Sequence, residues 1–360
     1  MNRIPSLDGL RAISILMVVI GHLAESEFRS QTATDVAAAF ANLGVRIFFV
    51  ISGYLITKLL LNEESRTGGL NLRAFYTRRA YRILPAATFF MVAVFVIFRH
   101  QLHWYDVAAA VLYLTNYDYA SPWFLKHLWS LSVEEQFYLL WPSILKKWIL
   151  PRQRTHILLA VIAFAPIYRV LCHLLQLRGH ADGSFPAVSD VLAIGCLLAI
   201  FESRLLRISP RLKALQLPPS MLLTGLMILA LLCVPVYWGM HGLHLTLPLL
   251  FLLWPVMHLS IAGLLLRAVQ SAGWILNSRP AVWLGKISYS LYLWQQLFVY
   301  GKHVNPWYGT VLALGMANLS YYVVERSALR LREKRPNLDG AKIVVSIAPA
   351  LFPLATRSEP

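Results

Sequence analysis

Near its N-terminus the chain contains the stretch Leu7-Asp8-Gly9-Leu10-Arg11-Ala12-Ile13-Ser14-Ile15-Leu16-Met17-Val18-Val19-Ile20-Gly21-His22. This is an apolar run with an arginine near one end and a histidine at the other. A secretory signal peptide would continue into a small-x-small cleavage pattern. Leu23, Ala24 and Glu25 follow instead, and many more apolar runs come later. We therefore interpret this segment as the first membrane helix.

The composition supports a membrane environment. Of the 360 residues, 58% are hydrophobic and only 14% are charged, whereas soluble domains carry about 25% charged residues. The net charge of +16 would indicate nucleic acid in a soluble chain. Here the basic residues lie between apolar runs, so we interpret them as determinants of membrane topology.

A spanning helix needs about 20 mostly apolar residues. The segments that qualify lie near 8–24, 41–61, 84–100, 127–147, 156–176, 187–203, 218–238, 245–266, 281–301 and 307–325. The predicted fold class is therefore all-α, a polytopic integral membrane helix bundle of about ten transmembrane helices. A further stretch, 107–115, is too short to span; it is either re-entrant or part of an eleventh helix.

The distribution of lysine and arginine predicts the orientation. With the N-terminus in the cytoplasm, 25 of the 33 basic residues fall on the cytoplasmic side and 6 on the other, the latter including Arg46. This asymmetry follows the positive-inside rule and places both termini in the cytoplasm. We expect residues 1–335 to form the membrane domain and 336–360 a short cytoplasmic tail, with no appended soluble domain.

Ionisable side chains inside a bilayer are costly, so each is a functional hypothesis. Arg11 and His22 are eleven residues apart, which places them about 16 Å apart along one face of a helix. Histidine suits proton abstraction near neutral pH. The alternative is an interfacial histidine that only caps the helix or contacts headgroups.

Two adjacent carboxylates enter the segment that begins at Trp129. Ser132 and Glu135 fit a capping box, which gives Glu135 a structural role. Glu134 points about 100° away on a helix and has no such role. We therefore favour Glu134 as the functional carboxylate.

Two further patterns have both a functional and a structural interpretation. Arg79 and Arg82, in the predicted cytoplasmic loop before the third helix, share a helical face and suit phosphate groups, or they anchor the chain to anionic lipid. Ser52 and Gly53 allow close helix packing, or Gly53 leaves room for an acyl or pantetheine chain.

In this order the motifs resemble the acyltransferase-3 family of membrane acyltransferases. They are Leu7–Ala12 with His22, Gly44-Val45 with Phe48–Gly53, Phe75-Tyr76 with Arg82–Pro85, Trp129–Pro142, and Leu284–Trp294. The resemblance implies a bacterial membrane O-acyltransferase that uses a cytoplasmic acyl-CoA, with acetyl-CoA as the expected donor. It also implies acceptors such as surface polysaccharide, lipopolysaccharide, peptidoglycan, nodulation factors or antibiotics.

The resemblance also implies roles for individual residues. The Arg-x10-His motif corresponds to Arg11 and His22, with His22 as the base, and the Arg-x-x-Arg element corresponds to Arg79 and Arg82. Ser132 and Glu134 match the family's serine-containing segment. We expect catalysis by His22, Glu134 and Arg11, with Glu134 orienting the His22 imidazole. We expect cofactor binding by Arg79, Arg82, Gly53 and Ser52, and substrate binding by Arg169, Asp190, Ser132 and Trp129.

Some positions depart from the family pattern. Many members have Trp-His near residue 293, where this chain has Gln295 and Gln296, so no ionisable base is available there. Relatives often place an arginine two residues before Asp190, where this chain has Val188, so Asp190 lacks that partner. Arg169 has no partner that the sequence identifies.

Cofactor and partner expectations follow from the same considerations. The three cysteines, Cys172, Cys196 and Cys233, show no disulfide or metal spacing, so we expect no metal and no bound cofactor beyond the acyl-CoA donor. The expected partners are a glycan or lipid-linked glycan and the bilayer of the bacterial inner membrane, with no nucleic acid. The alternatives are acylation of a secreted small molecule and a transporter or flippase of envelope precursors, which buried charges also fit.

Overall fold

The computed structural model describes residues 4–27, 30–148, 150–177, 183–208, 247–270, 275–300 and 305–334. Within these ranges the regular structure is entirely helical, which confirms the all-α prediction. The helices are α1 (Pro5–Glu27), α2 (Gln31–Thr67), α3 (Leu72–Ile97), α4 (Trp104–Val111), α5 (Trp123–Lys126), α6 (Leu128–Lys147), α7 (Pro151–Leu174), α8 (Phe185–Ile208), α9 (Leu247–Gln270), α10 (Arg279–Gln295), α11 (Pro306–Leu319) and α12 (Arg326–Glu333). A 3₁₀ turn (Thr115–Tyr117) precedes α5, and π-helical turns follow α10 (Gln296–Tyr300) and α11 (Ser320–Glu325).

Five of these helices, α1, α2, α3, α7 and α8, are long and apolar enough to cross a membrane. The chain is therefore a multi-pass membrane protein, although these five do not confirm the predicted count of ten. The predicted span 218–238 and the tail 336–360 lie outside the described residues. Helix α4 has only eight residues, so it cannot be the eleventh span.

Helix α2 is much longer than its apolar part predicts. Its 37 residues extend over about 55 Å, against about 30 Å of hydrocarbon. The helix continues through the polar residues after 61 and ends at Gly68, whose φ of 74° lies in the left-handed region and whose N–H donates to the Glu64 carbonyl. A glycine adopts this helix-ending conformation without strain.

Helix α1 lies in the interior and packs against α2 and α10. Close approach of α2 to both of its main neighbours depends on glycine. A Cβ at Gly44 would lie 2.5 Å from the Ser14 carbonyl oxygen of α1, and one at Gly53 would lie 2.2 Å from the Leu192 carbonyl oxygen of α8. The backbone of α8 therefore fills the space beside Gly53. This supports close packing and corrects the expectation that Gly53 leaves room for a pantetheine chain.

Helix α3 begins earlier than expected. Asn71 caps it by accepting a hydrogen bond from the Ala74 N–H (3.0 Å). Arg79 and Arg82 thus belong to a helix and not to the predicted loop. The helix extends thirteen residues before Pro85 because this segment contains good helix formers and a favourable cap, which a hydropathy window does not detect.

One other prediction of local structure was wrong, and the surroundings of a second residue, Arg46, were not foreseen. Helix α6 begins at Leu128, so Ser132 lies inside the helix and cannot form a capping box with Glu135. Arg46, assigned to the non-cytoplasmic side, is buried within α2 with 3% of its surface exposed. Its guanidinium lies 3.5 Å from the centre of the Trp254 ring, which compensates the loss of water by a cation–π contact.

Candidate active site

Helix α1 carries both residues of the Arg-x10-His motif on one continuous helix, as predicted. Arg11 and His22 are about 16 Å apart along the axis and lie on the same side. Each belongs to a separate polar cluster. We name these the carboxylate cluster (Arg11, Ser52, Arg79, Glu134 and Tyr138) and the histidine cluster (His22, His127, Tyr292 and Gln295).

Glu134 is the centre of the carboxylate cluster. The Ser52 hydroxyl donates to its Oε1 at 2.7 Å, and the Tyr138 hydroxyl donates to its Oε2 at 3.2 Å. The two hydroxyl oxygens are 3.1 Å apart. Ser52 is thus engaged with a protein carboxylate, so its predicted contact to a cofactor remains a prediction.

Arginine side chains surround this carboxylate. Arg11 forms an ion pair with Asp8 at 3.4 Å and interacts electrostatically with Glu134 and Arg82. Arg79 stacks over the Tyr138 ring at 5.0 Å. The motifs of α1, α2, α3 and α6 therefore meet in one interior region.

Two further acidic residues, Glu325 and Glu135, interact electrostatically with members of the carboxylate cluster. Glu325, in the π-turn after α11, is buried, accepts a hydrogen bond from Ser290 (3.4 Å) and interacts electrostatically with Arg11 and Arg82. The Oε1 atom of Glu135 has no hydrogen-bond partner among the described residues. Glu325 was not identified from the sequence because it is the final residue of the last apolar segment, 307–325, where an acidic residue is typical of an ordinary helix end.

The histidine cluster holds the predicted base. Nδ1 of His22 lies 2.7 Å from Oε1 of Gln295, and the imidazole packs edge-on against Tyr300 with ring centres 5.4 Å apart. An amide oxygen only accepts hydrogen bonds, so Nδ1 carries the proton and Nε2 keeps its lone pair. This is the tautomer that a general base needs.

The contacts of His22 and Glu134 differ from the predicted carboxylate–histidine pair. Among the described residues, His22 is oriented by Gln295 and Glu134 is bonded to Ser52 and Tyr138. Gln295 occupies a position where the family pattern has an ionisable side chain. Because its amide is neutral, the sequence excluded it as a base and did not indicate it as a hydrogen-bond acceptor for His22. The signal in the sequence was its position next to Trp294 in the last matching motif.

The other predicted substrate-binding residues lie around this interior. Ser132 is buried, and its hydroxyl is 2.7 Å from that of Thr115, so it holds the 3₁₀ turn to α6. Trp129 is half-buried and packs edge-on against Phe49 at 6.0 Å. Within the part of the chain described here, no side-chain hydrogen bond joins either residue to His22 or Glu134.

Asp190 and Arg169 are partners of each other, which corrects the expectation that each is alone. Arg169 Nη2 donates to Asp190 Oδ2 at 2.9 Å. Nδ1 of His258 is 3.3 Å from the same oxygen, and Nε2 of His258 is 3.1 Å from Arg46 Nη1. The arginine that is missing at position 188 is thus replaced by one from the neighbouring helix, which linear spacing could not show.

These geometries define what the interior can do. It has an oriented imidazole with a free lone pair at one level of α1 and a set of guanidinium groups at another. Within the described residues there is no group of three His, Cys, Asp or Glu that could hold a metal ion. The arrangement suits proton abstraction by His22 and binding of an anionic group by the arginines.

Comparison with known proteins agrees with these motifs. A family model described as "Acyltransferase domain", that of the acyltransferase-3 family, matches residues 4–324. The chain is 31% identical over 373 residues to a Bacillus subtilis (strain 168) protein named "Putative peptidoglycan O-acetyltransferase YrhL", an alignment that covers 90% of this chain and 54% of that protein. It is 41% identical over 158 residues to "O-acetyltransferase OatA" of Staphylococcus aureus (strain NCTC 8325 / PS 47), which covers 39% of this chain and 24% of OatA.

The chain spans about half the length of the first of these relatives and about a quarter of the second. No solved structure matches it significantly. The family model nevertheless covers the helices that bring Arg11, His22, Arg79 and Glu134 into one interior. The chain therefore belongs to the acyltransferase-3 family.

Proposed function

We propose that this protein is a membrane O-acyltransferase that moves an acyl group, most simply acetyl, from acyl-CoA to a hydroxyl of a cell-envelope glycan. The observation that carries the proposal is the half-buried His22 imidazole, whose Nδ1 lies 2.7 Å from the Gln295 Oε1 atom. The same helix carries Arg11 in an arginine-rich cluster. The relatives whose names specify O-acetyl transfer support the reaction class.

The donor would bind through its phosphates. Arg82 is exposed and Arg79 is half-buried, one turn apart on α3, so the pair presents guanidinium forks at the edge of the interior. Such forks match phosphate oxygens in geometry and charge. With the N-terminus in the cytoplasm, this edge faces the cytoplasm, where acyl-CoA is made, and His22 lies toward the opposite side of the bacterial inner membrane.

The reaction needs a base, stabilisation of an oxyanion and exclusion of water. Nε2 of His22 takes the proton of the acceptor hydroxyl as its oxygen forms a bond to the thioester carbon. The tetrahedral intermediate then collapses, the carbon–sulfur bond breaks, and the proton passes from His22 to the thiolate of CoA. The products are the O-acyl glycan and free CoA. A base of this kind contributes about 10²–10⁴ in rate.

The test is mass spectrometry of surface glycans from a deletion strain complemented with the wild-type gene or with His22→Ala. Loss of an ester mass on deletion, restored by the wild type and not by His22→Ala at equal membrane abundance, supports the proposal. The mass difference identifies the acyl group, and the fragment that bears it identifies the acceptor. An unchanged glycan profile contradicts a glycan acceptor and favours a secreted small molecule or transport. Restoration of the ester mass by the His22→Ala gene would contradict the proposal that His22 is the base.

A further inference from the structure

A second histidine lies in the histidine cluster without an assigned role. His127 occupies the junction between α5 and α6, and only 4% of its surface is exposed. Its imidazole packs edge-on against Phe90, with ring centres 5.4 Å apart, and against Tyr292 at 5.6 Å. The ring is thus enclosed mainly by aromatic side chains.

Neither Nδ1 nor Nε2 of His127 meets the geometry of a hydrogen bond with any described residue, although the Leu293 backbone lies near enough to interact with the ring. Leaving a buried donor or acceptor unpaired costs about 1–3 kcal/mol, and such a group requires an explanation. The backbone of His127 is in contrast firmly held. Its carbonyl accepts a hydrogen bond from the Tyr292 hydroxyl at 2.9 Å, and that hydroxyl lies 2.6 Å from the hydroxyl of Ser130.

His127 lies near enough to His22 for a charge on one ring to affect the other. Helix α10 also connects them, because Tyr292 contacts the His127 backbone and Gln295 contacts the His22 ring. Residues three apart share one face of a helix. The two imidazoles therefore flank the same face of α10. The His22 ring is oriented by the Gln295 amide oxygen, whereas neither ring nitrogen of His127 has a partner in hydrogen-bond geometry among the described residues.

We propose that His127 is a second catalytic residue of the transfer reaction, which donates its ring N–H to the oxyanion of the tetrahedral intermediate. This inference rests on the proposed function. As the acceptor oxygen attacks, the carbonyl π electrons move to the acyl oxygen, and the His127 N–H stabilises that charge. The electron pair returns when the carbon–sulfur bond breaks, and the His22-bound proton leaves with the thiolate. His127 neither gains nor loses a proton overall.

The rival interpretation is that His127 only fills an aromatic pocket. The substitution His127→Phe separates the two. Phenylalanine keeps a planar ring of similar size and removes two unpaired polar atoms, so the fold should be unharmed or stabilised. Removing one oxyanion donor lowers kcat by about 10²–10³.

The experiment measures transfer kinetics and thermal stability of the purified full-length protein in detergent, with acetyl-CoA and a hydroxyl acceptor. We expect His127→Phe to lower kcat at least 100-fold while KM for acetyl-CoA stays within about twofold and Tm does not fall. His127→Gln, which restores an N–H donor, should recover part of the rate. His156→Phe, the same change at an exposed histidine of α7, is the matched control and should match the wild type.

Each outcome bears on one claim. The loss of one oxyanion donor lowers kcat by about 10²–10³. If His127→Phe keeps more than about a third of the wild-type kcat, the loss is too small for such a donor and the inference is wrong. It is also wrong if activity falls only in proportion to Tm. The wild type and His22→Ala are measured in parallel. A wild type without transferase activity, or an active His22→Ala, contradicts the proposed function itself.

Discussion

Gln295 orients the His22 imidazole with a neutral amide, whereas the carboxylate of Glu134 was the predicted partner. The Oε1 atom of Gln295 accepts from Nδ1 of His22, which fixes the tautomer and the ring orientation. Gln295→Ala should therefore remove part of the factor of about 10²–10⁴ in rate that a positioned base contributes, which lowers kcat without changing the KM for acetyl-CoA. The check is steady-state kinetics at saturating donor.

The matched variant for this position is Gln295→Glu, which keeps an acceptor oxygen at the same distance from the backbone. We expect it to retain most of the activity that Gln295→Ala loses. Equal losses in both variants would show that the amide packs the site and does not orient the imidazole.

The arginine pair on α3 supplies a second prediction at this scale. Replacing Arg79 and Arg82 together by alanine should raise the KM for acyl-CoA at least tenfold, because each guanidinium–phosphate hydrogen bond to a charged group contributes about 1.5–3 kcal/mol. Initial rates over a range of acyl-CoA concentrations provide the measurement.

Arg78→Ala is the control for that double variant. Arg78 lies on the same helix but forms an ion pair with Glu63 at 2.8 Å, so the KM should stay at the wild-type value. An unchanged KM in the double variant, with normal membrane insertion, would leave only the lipid-anchor interpretation of Arg79 and Arg82.

At the residue scale the sequence indicated which side chains are unusual but not which of them meet. Arg11, His22 and Glu134 stand out because a charge in an apolar run is costly. Their partners Gln295, Ser52 and Tyr138 are ordinary residues that become important only through contacts between helices. Such contacts depend on the packing of distant segments, which no local pattern records.

At the element scale, the helix pair α2–α8 depends on backbone contact at Gly53. A Cβ there would lie 2.2 Å from the Leu192 carbonyl oxygen, so Gly53→Ala forces the helices apart. We expect overpacking to cost about 1–3 kcal/mol, with lower Tm in detergent and reduced activity.

Gly315→Ala on α11 is the counterpart, because nothing lies within 4 Å of a Cβ at that position. Alanine favours the helix by about 0.8–1 kcal/mol over glycine, so its Tm should equal or exceed that of the wild type. Thermal melts of the two variants side by side test the packing role. A neutral Gly53→Ala would contradict it.

The ionic cluster of Asp190 joins four helices, since Arg46, Arg169 and His258 come from α2, α7 and α9. Asp190→Leu leaves the buried Arg169 without its carboxylate partner and should destabilise the protein by about 3–5 kcal/mol. Arg169→Leu combined with Asp190→Leu should cost less than the sum of the single changes. Tm values of the three variants decide this, and simple additivity would show that the pair is not coupled.

Helix ends were the least predictable feature of the elements. The apolar window 41–61 located α2 but not its continuation to Thr67, and 84–100 located α3 but not its start at Leu72. Hydropathy predicts which part of a helix lies in lipid, whereas the ends of the helix are determined by capping residues and glycines. Asn71 and Gly68 are those signals, and they lie outside the apolar runs.

At the scale of the whole molecule, the predicted orientation places the arginine pair of α3 toward the cytoplasm and His22 toward the opposite side of the membrane. Helix α3 is long and apolar enough to span, so the exposed residues Gly69 before it and Gln101 after it should lie on opposite sides. The excess of lysine and arginine around the first of these predicts that it lies in the cytoplasm. Single cysteines at the two positions test this directly.

Gln101→Cys should react with a membrane-impermeant maleimide on intact cells, whereas Gly69→Cys should react only after permeabilisation. Cys172 and Cys196 are buried, and the cysteine-free background with Cys233 also replaced controls for native thiols. The reverse labelling pattern would place the arginine pair outside. It would then contradict a cytoplasmic acyl-CoA donor, because phosphate binding by Arg79 and Arg82 and proton abstraction at His22 would face the wrong compartments.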